Sequence, residues 1–130
     1  MLLENIKQEQ NSYELATLYR SIGKFDEALK YFQLAKQEYY SEKNYDSYLK
    51  CQNALLRIYA EYTDDVKVNL IKEEIQDLVL KESLQLNSKT YYALGICAKY
   101  KDNVSLSNEY FNKALDMAFA NDSKEDMAHA

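Results

Sequence analysis

Along this chain apolar residues return at the spacing of one face of a helix, with polar residues between them. In residues 23–36, GKFDEALKYFQLAK, Ala28, Phe32 and Ala35 stand at i, i+4 and i+7, one face at 3.6 residues per turn. Upstream, Leu15, Ala16 and Tyr19 form a similar face that Gly23 closes. The layout returns near the C-terminus, where Leu94, Gly95 and Ala98 precede Phe111 and Ala114, with Ser107 in the place of Ala28. Between them, Leu55, Leu56 and Tyr59 are followed by Ile71, Ile75 and Leu78, again four and then three residues apart. The pattern predicts pairs of helices. Two of them are long, from Asp26 to about Lys43 and from Tyr45 to about Tyr62. Capping logic places helix starts after Asp64, Asn87 or Ser88, and Asn103. It places a further start at Asp122 or Ser123 in the last segment, NDSKEDMAHA.

Composition removes the alternative to helices. The 130 residues include no proline and only two glycines, Gly23 and Gly95, whereas sheet-rich chains need turn residues at short, regular intervals. The expected fold class is all-α.

The residues Leu15, Ala16, Tyr19, Gly23, Phe25, Ala28, Phe32 and Ala35 resemble the tetratricopeptide repeat (TPR), a helix-turn-helix unit of small and large apolar positions. Later copies depart from that pattern at Leu56, where a small residue is usual, and at Ala98, where an aromatic is usual. Leu15, Leu55 and Leu94 lie 40 and 39 residues apart, longer than the ordinary period of about 34. Such elongated units look like those of bacterial peptide-sensing regulators, sensor regions of signalling proteins and kinesin-light-chain-type adaptors. The resemblance implies a right-handed α-solenoid of three antiparallel helix pairs, at about 9–43, 45–84 and 88–120. Residues 121–130 would begin a capping or further repeat helix. One hairpin cannot bury its own apolar face, so neighbours stack.

The resemblance also implies a concave surface lined by the first helix of each pair. The matching positions are Gln10, Tyr13, Thr17, Arg20 and Ser21, then Lys50, Asn53, Arg57, Ala60 and Glu61, then Lys89, Tyr92, Ile96, Lys99 and Tyr100. The candidate partner-binding set is Tyr13, Thr17, Arg20, Lys50, Asn53, Arg57, Lys89, Tyr92, Lys99 and Tyr100. Charge singles this set out. The chain carries a net charge of -5, yet its only two arginines fall here with three lysines. Arginine offers a planar fork to carboxylates and tyrosine a rigid amphipathic contact. The five positions of the carboxylate clamp of chaperone-binding TPR proteins fall on Tyr13, Thr17, Ala54, Lys89 and Ala93. Only Lys89 has the required character, so that function is not expected.

Other chemistry finds little support. An acidic chain lacks the basic surface that nucleic acid requires. No run of 18 apolar residues is present and MLLENIKQEQ does not read as a signal peptide, so the expectation is a cytoplasmic protein off the membrane. Cys51 and Cys97 are too isolated for a metal site and read as buried thiols. His129 is the only histidine, and no phosphate loop or nucleophile–base set accompanies it. No enzyme activity, metal or cofactor is therefore expected. The expected function is a non-enzymatic module that binds protein or peptide, acidic or carboxylate-bearing. One alternative is the peptide-sensing region of a bacterial transcriptional or signalling regulator. Another is a self-associating scaffold, a homodimer formed through Tyr39, Tyr40 or Phe119.

Overall fold

A computed structural model of the chain describes residues 11–129, with side-chain surroundings described over residues 11–120. Six helices follow one another among the described residues: α1 (Ser12–Ser21), α2 (Phe25–Ser41), α3 (Tyr45–Glu61), α4 (Asp65–Glu82), α5 (Ser88–Tyr100) and α6 (Val104–His129). They pack sequentially, α1 on α2, α2 on α3, α3 on α4 and α5 on α6, and α3 also packs against α5. No helix among the described residues is long and apolar enough to cross a membrane.

The helix ends follow from local hydrogen bonding. Residues with positive φ (Gly23, Lys43, Thr63, Asp102) end α1, α2, α3 and α5. Each donates its N–H three residues back while the next residue donates five back, as in Gly23 N to Arg20 O (3.1 Å) and Lys24 N to Tyr19 O (2.9 Å). That is a Schellman ending. The second residue then opens the following helix. Asn44, Asp64 and Asn103 accept through Oδ1 from the N–H of Ser47, Lys67 and Leu106 at 3.3, 3.2 and 3.2 Å. Asn11 and Asn87 cap α1 and α5 in the same way.

Only the first of these four left-handed positions is glycine. Thr63, at φ 54°, is β-branched and exposed, and a non-glycine residue there costs about 1–2 kcal/mol. Glycine's extra unfolded-state entropy returns roughly 0.5–1 kcal/mol of that. Thr63→Gly is accordingly expected to stabilise the protein by up to about 1 kcal/mol, read as a higher urea midpoint at unchanged m-value.

The core is the set of small and large apolar residues that the helical spacing selects. Ala16, Ala28 and Ala35 are essentially inaccessible, and Phe32 fills the space between α1 and its neighbours, edge-on to Tyr13 at 5.8 Å. In the last pair Gly95 replaces Ala16. A Cβ placed on Gly95 would stand 2.5 Å from Cε1 of Phe111, so the ring occupies the space a side chain would need. Ser107, also buried, donates its hydroxyl to the Gly95 carbonyl at 3.0 Å. In the middle, Leu56 stands where a small residue was expected and is fully buried. Beside it α3 carries a polar cluster. Gln52 donates to Tyr48 Oη and to Glu74, and Lys36 pairs with Glu74 at 3.2 Å, tying α2, α3 and α4 together.

α6 differs from the sequence expectation. It runs unbroken from Val104 to His129, so residues 121–129 continue it and Asp122 and Ser123 begin no new helix. No glycine or proline interrupts residues 104–129, and without a breaker helical bonding carries on through polar residues.

Both thiols are buried. Cys97 lies against the Leu56 carbonyl, Sγ to oxygen 3.8 Å, and burial pushes its pKa up to about 11 and that of Cys51 up to about 12. A group whose folded pKa is raised stabilises fully below its unfolded pKa and loses that contribution as pH climbs through the folded value. The urea midpoint is therefore expected to hold up to about pH 9 and to fall between there and pH 12. Native protein at pH 8 should also react with a thiol-specific disulfide reagent only at the rate of unfolding.

Candidate functional site

α1, α3, α5 and α6 together line a groove of about 880 Å³. α1 contributes Tyr13 and Arg20, two turns apart on one face. α3 contributes Lys50, Asn53, Ala54 and Arg57, and α5 contributes Ser88, Lys89, Tyr92 and Lys99. A smaller compartment of about 440 Å³ adjoins it, sharing Arg20, Arg57, Tyr92, Lys99 and Phe111 and adding Glu61, Ile96, Tyr100 and Asp102.

Of the ten candidates, eight line the larger groove and Tyr100 lines the smaller compartment. Thr17 lines neither. It is exposed on α1, and its hydroxyl is committed to the Tyr13 carbonyl at 2.9 Å. Gln10 lies outside the described residues, as do the surroundings of the His129 side chain. Tyr40, a self-association candidate, is partly exposed but packs on Tyr45 and Tyr48, while Phe119 is 70% exposed on α6.

The electrostatics are one-sided. Arg20, Lys50, Arg57, Lys89 and Lys99 line the larger groove, and among the described residues no acidic side chain does. Among the described residues the ion pairs are Lys36–Glu74 and Lys101–Asp65, and neither arginine takes part in one. Burial lowers the pKa of Arg20, and the charge on Arg57 lowers it further, with Glu61 opposing. Two guanidinium groups thus share a partly buried space, and the carboxylates of Glu61 and Asp102 that line the smaller compartment beside them form an ion pair with neither. Arg57 also stands over the Tyr92 ring, 5.6 Å from its centroid, which fixes its direction.

Sequence reasoning missed the second wall. Phe111, Ala114, Leu115 and Ala118 on α6 also line the groove. Their spacing, i, i+3, i+4 and i+7, was a visible signal of an apolar stripe, but Phe111 and Ala114 alone were read, and as core. Asn53 lies on the groove floor, only 8% exposed, and its Oδ1 is shielded from solvent with no hydrogen-bond donor. Among the described residues no cluster of three or more His, Cys, Asp or Glu side chains could hold a metal ion.

Compared with protein-family models, curated proteins and solved structures, the chain shows a match to none of them.

Proposed function

We propose that this chain is a TPR-like right-handed α-solenoid and a non-enzymatic module that binds acidic or carboxylate-bearing protein or peptide segments in the α1–α3–α5–α6 groove. The observation that carries this reading is the larger groove's charge: five cations and, among the described residues, no acid, in a chain of net charge -5. Bringing unpaired cations together costs free energy in the empty groove, and an anionic occupant removes that cost while gaining charge-assisted hydrogen bonds. Tyr13 and Tyr92 supply rigid contact area beside the cations, as binding surfaces commonly do. The peptide-sensing region of a regulator would use the same groove.

Fluorescence anisotropy with a labelled hexaglutamate peptide tests the reading. Hydrogen bonds to charged groups contribute about 1.5–3 kcal/mol, so Arg57→Glu is expected to weaken binding by at least about tenfold. Arg20→Glu/Arg57→Glu should weaken it further, and binding to the wild-type chain should fall as salt is raised. The fold should survive Arg57→Glu, because the new carboxylate faces Arg20. Unchanged affinity in a folded Arg57→Glu variant would remove the groove from consideration.

A further inference from the structure

The groove has two chemically different walls, and an occupant that is merely acidic satisfies only one. Arg20, Arg57 and Lys99 present charge, while Phe111, Leu115 and Ala118 of α6 add an apolar stripe to the same lining. Leu115 is 57% exposed on α6. Leaving that area wet forgoes about 25 cal/mol for each square ångström an apolar side chain would cover. The Asn53 carboxamide also lines the groove, with its unpartnered Oδ1. A half-turn about χ2, a soft torsion, presents that oxygen to a donor in the groove and removes the cost of an unsatisfied acceptor. Asn53 and Arg57 are one turn apart on α3, so a donor on the first and an anion on the second are separated by about 6 Å along the helix. Groups two residues apart on an extended chain lie at that scale, since each residue advances about 3.3 Å.

Resting on the acidic-segment reading above, we infer that the occupant is an extended peptide in which acidic and large apolar residues alternate. Its acids face Arg20, Arg57 and Lys99, its apolar side chains face Leu115 and Phe111, and a backbone N–H donates to Asn53. A purely acidic chain leaves the α6 wall uncovered, and a purely apolar one leaves the cations unpaired.

Two labelled hexapeptides separate this inference from its premise: one alternating Leu and Glu, the other alternating Ser and Glu, so that the acid content is the same. The Leu/Glu peptide is expected to bind the full chain at least tenfold more tightly than the Ser/Glu peptide. Leu115→Asn should erase most of that difference, lowering Leu/Glu affinity far more than Ser/Glu affinity. Circular dichroism and the urea midpoint of the variant show that the fold is retained. Equal affinity for the two peptides, or a preference that Leu115→Asn leaves intact, overturns the apolar wall and leaves the acidic reading standing. Failure of both peptides to bind overturns the acidic reading and this inference with it.

Discussion

Replacing Phe32 by alanine is expected to remove about 3–5 kcal/mol of stability. The ring is 1% exposed and is enclosed by residues of the main core. Its neighbours Ala16 and Ala28 have no side-chain length with which to fill the gap. Deleting such a ring forfeits its transfer free energy and leaves a cavity whose lining loses contacts. A domain of this kind holds about 5–15 kcal/mol in total, so the loss is a large share of the whole. Urea denaturation followed by circular dichroism should show the midpoint falling steeply. The groove should suffer as well, because Tyr13 stands edge-on to Phe32 at 5.8 Å and also lines the site. If the midpoint moved by less than about 1 kcal/mol equivalent, Phe32 would not be the central packing element.

Gly95→Val is the second large effect. Any Cβ here meets the Phe111 ring at 2.5 Å, and valine adds two methyl groups to that collision. Against this stands the gain from removing a mid-helix glycine, about 0.5–1 kcal/mol for alanine and less for a β-branched residue. Overpacking typically costs about 1–3 kcal/mol, so the clash wins. The ring must turn away, and it has contacts to lose: Phe111 lies against Tyr92 at 5.5 Å, and Tyr92 in turn lies under Arg57. A change at a buried glycine therefore reaches a cation in the groove. Urea denaturation should show a lower midpoint, and hexaglutamate affinity should fall although Gly95 does not line the site. Adding Phe111→Leu to Gly95→Val should recover part of the stability, because the two positions compete for one space.

The helices were largely legible in the sequence because they depend on local rules. The 0, 4, 7 spacing of Ala28, Phe32 and Ala35 selects a buried face whatever the partner. Asp64, Asn87 and Asn103 cap α4, α5 and α6 as their side-chain chemistry requires. The long helices end within two residues of expectation, at Ser41 and Glu61. What could not be read locally were the turns and the far wall. Lys43, Thr63 and Asp102 adopt left-handed backbone without being glycine, so no residue type announces these helix ends. The side chains of α6 that line the groove have the same apolar spacing as a core face. Whether Leu115 meets a neighbouring helix or open space depends on what packs beyond it, which composition and periodicity do not encode. The cationic residues were found because Arg20 and Arg57 are rare types at defined positions. Thr17 was placed by position alone, and its hydroxyl turned back to its own helix.

At Asn44, Asp64 and Asn103 one residue finishes the helix behind it and launches the helix ahead, through its N–H and its Oδ1 respectively. Such joints have no slack: an added residue would separate the two duties and loosen both helices at once. The stretch from Ser83 to Asn87 is built otherwise, with Leu84 closing α4, Asn87 opening α5 and exposed Gln85 between them. Extra length in this protein is therefore absorbed most cheaply at Gln85, which makes it the natural point at which to graft a reporter without disturbing either wall of the groove.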